Sequence, residues 1–263
     1  PLALQGSLVI GMIDSGVGGL SVLREIHALL PDTSIQYIAD TAWCPYGVRS
    51  AEEIRDRTSA LTELLIKRGA ELIVIACNSA TLAAIEALRA QFPVPFIGME
   101  PGVKPAAALT KTDTIGVLAT ELSLKGDKFL HLVSAHARDL RVITQPCPKF
   151  VELVEAGTLE GELVESAITE YTHDMMAASA DVLILGCSHY PFLRPALETT
   201  LPDHIQLIDT GSAIARRAAK LKPQKTTSPS ISILTTGSLE RINSLLPKLT
   251  PGLPAECQPL FMS

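Results

Sequence analysis

The chain has 263 residues, 47% of them hydrophobic and 19% charged, which is enough to bury one or two substantial cores. A net charge of −6, with no Lys/Arg block standing alone, excludes the electrostatic footprint of a nucleic-acid binder. No apolar run approaches the roughly 18 residues that span a bilayer, and PLALQGSLVIGMI at the N-terminus carries no basic flank, so a cytoplasmic protein without a membrane partner is expected.

From the N-terminus onward, apolar runs of strand length alternate with amphipathic segments of helix length. SLVIGMI precedes SVLREIHALL, SIQYIAD precedes AEEIRDRTSALTELLIKRG, and LIVIAC precedes SATLAAIEALRAQF. This rhythm predicts βαβ units around a parallel sheet. VPFIGMEPGVKP, rich in proline, reads as a connection. The rhythm then resumes in the strand-like runs TIGVLAT, LRVITQP, FVELVEAG and VLILGC, and KPQKTTSPS marks a further connection. Two segments recur. IGMIDSGVGG has a counterpart in IGVLATELS about 105 residues on, and Cys77 in LIVIACNSAT has one in Cys187 of VLILGCSHY, 110 residues on. Such paired offsets predict a duplicated unit, hence an α/β fold of two similar parallel-sheet domains.

Five cysteines, an odd and scattered set without a C-x-x-C pair, fit neither a disulfide framework nor a zinc site. Cys77 and Cys187 alone share a context. Each follows an aliphatic run and precedes a polar pair, Asn78-Ser79 or Ser188-His189, where a helix is about to begin. That places both thiols at the carboxyl edge of a sheet, where ligands bind, and beside a helix N-terminus that stabilises a thiolate. Asp14-Ser15 and Asp40 occupy comparable strand ends, as helix N-caps or as carboxylates that hold an ammonium or orient an acid–base group. The turn Gly16-Val17-Gly18-Gly19 is a weak phosphate signal, because Asp14 stands at its entrance and no P-loop lysine follows. His189, beside Cys187, is suited to proton transfer or to a structural role. Two thiols in matched contexts suit inversion of a stereocentre, which needs one base and one acid on opposite faces of a carbon. No metal-ligand spacing and no Schiff-base lysine is evident, so no cofactor and no metal is expected and the site itself must stabilise the carbanion.

These residues resemble glutamate racemase, of the aspartate/glutamate racemase family, over nearly the whole chain. The resemblance rests on Asp14-Ser15-Gly16-Val17-Gly18-Gly19-Leu20, Tyr37-Ile38-Ala39-Asp40, Cys44-Pro45-Tyr46-Gly47, Ala76-Cys77-Asn78-Ser79-Ala80-Thr81, Glu100-Pro101-Gly102 and Gly186-Cys187-Ser188-His189-Tyr190-Pro191. It implies two α/β domains, residues 1–98 with 208–263 and residues 99–207, related by a pseudo-two-fold axis with the active site in the cleft. It further implies that Cys77 takes the α-proton of D-glutamate and Cys187 that of L-glutamate, assisted by Asp14 and His189 respectively. Substrate contacts would fall on Ser15, Pro45, Tyr46, Gly47, Asn78, Ser79, Thr120 and Ser188, with Asp40, Glu155 and Ser123 in support. A homodimer that supplies D-glutamate for peptidoglycan is also implied. Ser79, Ser188 and Ser123 stand where the family usually has threonine, and Ala119 where it usually has glycine. Some relatives carry an N-terminal element associated with activation by a UDP-linked precursor; too few residues precede Gly11 for one, so no such activation is expected. An aspartate racemase and a non-catalytic carboxylate-binding module are the alternatives.

Overall fold

The computed structural model describes residues 9–221 and 228–261, so the first residues of the SLVIGMI run and most of the KPQKTTSPS connection lie outside the described residues. The chain divides into two compact units, residues 1–99 with 211–263, and residues 100–210. Its strands in chain order are β1 Val9–Asp14, β2 Ser34–Ala39, β3 Ala70–Ile75, β4 Phe96–Gly98, β5 Thr114–Ala119, β6 Arg141–Pro146, β7 Val182–Gly186, β8 Gln206–Ile208, β9 Ile231–Thr235 and β10 Ala255–Pro259. The first unit holds a sheet of order β10-β9-β2-β1-β3-β4 and the second a sheet of order β6-β5-β7-β8. Every pairing in both is parallel. The central strands β1 and β5 are buried at all six positions, as covering by helices on both faces requires.

The internal repeat is written into the register. Gly11 of β1 lies opposite Gln36 and Ile73, and Gly116 of β5 lies opposite Ile143 and Leu183. The order β2-β1-β3-β4 is therefore repeated as β6-β5-β7-β8, with Cys77 and Cys187 just beyond the third strand of each set. A further hydrogen bond recurs: Asp40 N–H donates to Asp14 O at 3.0 Å, and Cys147 N–H donates to Ala119 O at 3.1 Å.

Two segments differ from the sequence reading. FVELVEAG is not a strand but most of the helix Pro148–Glu155, which buries Phe150, Val151 and Val154 on one face and starts with proline in its first turn. VPFIGMEPGVKP contains β4 as well as connecting chain, because Phe96 and Ile97 extend the first sheet beyond β3. Among the described residues no helix is long and apolar enough to cross a membrane.

Gly186 closes β7 directly before Cys187. A Cβ there would lie 2.9 Å from the Leu118 carbonyl oxygen and 3.0 Å from Ala119 Cβ, so the contact is with the neighbouring strand itself. Gly186→Ala is expected to destabilise the protein by about 1–3 kcal/mol, the usual cost of overpacking. A denaturation midpoint equal to that of the wild type would show that β7 yields without strain.

Candidate active site

In the first unit, the carboxyl ends of β1, β2, β3 and β9 gather the polar residues. Asp14 ends β1, and its Oδ1 accepts the Gly16 N–H at 2.8 Å. The glycine turn that follows serves packing: a Cβ at Gly19 would fall 2.8 Å from Asp14 Cβ and 2.9 Å from Ala76 Cβ. Only glycine lets the helix Leu20–Leu29 start so close to two strand ends. Gly19 itself is the N-cap of this helix, and Ser50 caps the next, Ala51–Lys67, in a capping box with Glu53. Neither Asp14 nor Asp40 is therefore an N-cap.

Cys77 is the N-cap of the helix Asn78–Gln91 and is buried. Its Sγ accepts the Ala80 N–H at 3.5 Å and lies 3.8 Å from Ser15 Oγ. A sulfur that receives a first-turn amide at the positive end of a helix is favoured as thiolate. Asn78 and Ser79 are buried in the first turn of the same helix. Among the described residues nothing bonds Asn78 Oδ1, although the atom is buried. A buried acceptor of this kind costs free energy until something fills it.

Asp40 follows β2 and is fully buried. Its Oδ2 accepts the Tyr46 hydroxyl at 2.6 Å and Arg57 Nε at 2.9 Å, while Oδ1 accepts Arg57 Nη2 at 2.7 Å and the Thr236 hydroxyl at 2.7 Å. Burial first, and then the Asp40 carboxylate, hold the Tyr46 phenol far above its ordinary range. The Arg57 guanidinium is raised mainly by its hydrogen bonds to Asp40. Tyr46 and Gly47 begin a short 3-10 turn, Tyr46–Val48, entered through the exposed Pro45 and a cis Cys44–Pro45 bond.

In the second unit, Cys187 lies directly after β7 and is buried. No α-helix starts beside it; a 3-10 turn, Tyr190–Leu193, intervenes before the helix Arg194–Thr200. The sequence reading of a helix N-terminus at both cysteines thus holds for Cys77 only. Cys187 has a different neighbour: His189 Nδ1 is 3.7 Å from its Sγ and 3.4 Å from Ser188 Oγ. On the other side of the ring, His189 Nε2 pairs with Glu155 Oε1 at 2.8 Å. Glu155 is the last residue of the helix Pro148–Glu155. Phe150 on that helix packs edge-on against both Tyr171 and Tyr190, each with ring centroids 5.2 Å apart. The Tyr190 hydroxyl donates to Cys147 O at 3.0 Å, which ties the Cys187 loop to the helix carrying Glu155. The Cys147 thiol is pushed up by burial and then by Cys187, and its Sγ donates to Gln145 O at 3.2 Å, so it is held neutral. Thr120 caps the short helix Glu121–Lys125, accepting the Ser123 N–H at 3.2 Å and donating to Ser123 Oγ at 2.9 Å.

The structure thus groups Asp14, Ser15, Cys77, Asn78 and Ser79 at neighbouring strand ends, with Tyr46 joined to Asp40, and separately groups Cys187, Ser188, His189 and Glu155. Thr120 and Ser123 bond to each other at the end of β5. Arg57 and Thr236, which hold Asp40, are absent from the sequence motifs, and Tyr190 enters them only as a neighbour of His189. The available signal was Arg57, a cation three residues after Ile54 and four before Leu61 on the buried face of its helix.

Residues 10–218 match the Asp/Glu/Hydantoin racemase family. The chain is 47% identical over 251 residues to a glutamate racemase of Ectopseudomonas mendocina, covering 93% of this chain and 95% of that one. It is 48% identical over 234 residues to a glutamate racemase of Herpetosiphon aurantiacus, covering 87% and 92%. The crystal structure of Escherichia coli glutamate racemase in complex with L-glutamate and the activator UDP-MurNAc-ala superposes with a TM-score of 0.88 at 32% identity, over 97% of this chain and 98% of that one. Two parallel α/β units of this design, with relatives of this kind, define an amino-acid racemase, an isomerase. The chain belongs to the Asp/Glu/Hydantoin racemase family.

Proposed function

We propose that the protein interconverts L- and D-glutamate by a two-base mechanism, with Cys77 and Cys187 as the acid–base pair. The observation that carries this reading is the equivalence of the two thiols: each is buried just beyond the third strand of a repeated strand order. The names of these relatives supply the substrate.

Racemisation requires one base to remove the α-proton and a second group to deliver a proton to the opposite face. Near neutral pH one thiolate and one thiol meet that need, provided each sulfur has a device that lets it ionise. Cys77 has the Ala80 amide at its helix start, with the Asp14 carboxylate at the neighbouring strand end; Cys187 has the His189 imidazole. Cys77 serves D-glutamate and Cys187 serves L-glutamate. Asn78 Oδ1, buried and without a partner among the described residues, is suited to accept from the substrate ammonium. Ser15, Ser79, Thr120, Ser188 and the Pro45–Gly47 turn supply hydroxyl and backbone groups for two carboxylates, and Ser123 holds Thr120. Asp40 and Glu155 act through Tyr46 and His189 respectively. By the same family resemblance the enzyme is a cytoplasmic homodimer, and its D-glutamate enters peptidoglycan.

No metal and no organic cofactor takes part in this scheme. Optical rotation of L-glutamate should therefore decay to zero with protein dialysed against a chelator and freed of pyridoxal phosphate, and faster than with aspartate. Activity lost on dialysis and restored by a metal ion would overturn the mechanism, while faster turnover of aspartate would overturn the substrate.

A further inference from the structure

We propose that Arg57 is a positioning residue for the racemase reaction, acting through Asp40 on the Tyr46–Gly47 turn; this rests on the reading of that turn as part of the active site. An ionised carboxylate offers about four acceptor positions. All four on Asp40 are occupied, two by the Arg57 fork, one by Thr236 and one by Tyr46. Asp40 therefore has no capacity left for a substrate ammonium, and whatever it contributes passes through the groups it holds. Tyr46 is the only one of these on the turn itself. Its single hydroxyl proton is committed to Asp40, so the phenol is fixed in rotation and the backbone around Gly47 is fixed with it.

Arg57 is in turn held from its other side. Its guanidinium lies 5.0 Å from the centroid of Trp43, the chain's one tryptophan, and that of Arg49 lies 4.4 Å from the same ring. Arg49 also donates through Nε to the Trp43 carbonyl at 2.8 Å. Trp43 and Arg49 flank the Cys44–Val48 segment on both sides, so the stack and the fork together tie the helix Ala51–Lys67 to both ends of the turn. The arrangement needs a planar group with two parallel donors, and a lysine ammonium offers neither the plane nor the fork. The Arg57 side chain is only 13% exposed and the Asp40 side chain not at all, which separates this pair from a solvent-facing ion pair.

A pair that merely stabilised the fold would share this geometry, and a double-mutant cycle separates the two roles. kcat/KM is measured for the wild type, Arg57→Gln, Tyr46→Phe and the double variant, on glutamate, or on aspartate should the wild type turn over only that. If Arg57 acts through the Tyr46 hydroxyl, Arg57→Gln lowers kcat/KM at least roughly tenfold in the wild type and less than about threefold in the Tyr46→Phe background. Equal factors in the two backgrounds would overturn the proposal. Arg57→Gln leaves a buried carboxylate unpaired and is liable to unfold, so Asp40→Asn/Arg57→Gln, which removes the charge together with its partner, is measured beside it. That variant should stay folded with kcat/KM still at least about tenfold down; recovery to within about twofold of the wild type would reduce Arg57 to a counter-charge. A wild type inactive on glutamate would defeat the substrate reading alone, since the cycle is then read on aspartate.

Discussion

Replacing either Cys77 or Cys187 with alanine is expected to abolish racemisation while leaving deuterium exchange at the α-carbon of a single enantiomer. Inversion requires both faces of the carbon, so one remaining thiol cannot complete it. That thiol can still remove the proton from the enantiomer presented to it and, after exchange with heavy water, return a deuteron to the same face. In Cys187→Ala the surviving Cys77 should label D-glutamate and not L-glutamate; in Cys77→Ala the preference should reverse. The loss of turnover is expected to be the largest of any single change, because a general base is removed outright and water must replace it, at a cost of roughly 10²–10⁴-fold or more. The surroundings differ enough that the two variants should not be equally fast in exchange. Cys77 keeps an amide donor from Ala80 at 3.5 Å whatever happens elsewhere, whereas Cys187 depends on a histidine that must itself hold the right proton. Appreciable racemisation by either variant, or labelling of the same enantiomer by both, would show that these cysteines are not a pair of opposed bases.

How far the sequence revealed this arrangement depended on how local each signal was. β1, β5 and β7 are short and wholly buried, so their uninterrupted aliphatic runs read correctly as interior strands of a parallel sheet. The same signal misled at FVELVEAG, where Phe150, Val151 and Val154 form a short apolar run that fits one face of a helix equally well; periodicity does not separate the two at that length, and Pro148 at the helix start was the better guide. β4 and β8 are three residues each and owe their existence to β3 and β7 beside them, so nothing within VPFIGMEPGVKP announced a strand. The candidate catalytic residues were legible because they sit at strand ends, where an aliphatic run breaks into polar residues. Their supports were not. Thr236 reaches Asp40 only because β9 pairs with β2 across nearly the whole chain, with Thr235 opposite Ala39. The different devices at the two cysteines were equally hidden, since Asn78-Ser79 and Ser188-His189 look alike in sequence. The first pair opens an α-helix; the second leads into Tyr190-Pro191 and a 3-10 turn.

The pairing of His189 with Glu155 leads to the second large effect. Glu155 Oε1 lies 2.8 Å from His189 Nε2, and because a carboxylate can only accept, it places the proton of the neutral imidazole on Nε2 and the lone pair on Nδ1, the nitrogen 3.7 Å from Cys187 Sγ. The ring is thereby set to take the thiol proton, and the carboxylate then stabilises the imidazolium that results. His189→Asn removes the acceptor and should lower kcat/KM by roughly 10²–10³-fold, the range of a positioned acid–base group. Because two enantiomers have equal free energies in water, kcat/KM must fall by the same factor in both directions, so the side of the reaction served by His189 has to be found by another measurement. Primary isotope effects provide it. Proton transfer at Cys187 becomes the slow step, and α-deuterated L-glutamate should show a larger effect with the variant than with the wild type, while α-deuterated D-glutamate should not. Glu155→Gln tests the tautomer with the imidazole left in place. The amide can donate to Nε2, which would move the ring proton to Nδ1 and turn it towards a sulfur that needs an acceptor. It should therefore reproduce much of the loss seen in His189→Asn, and with the same isotopic asymmetry. Activity of Glu155→Gln within about twofold of the wild type, or an enlarged isotope effect confined to D-glutamate, would show that His189 does not serve Cys187 in this way.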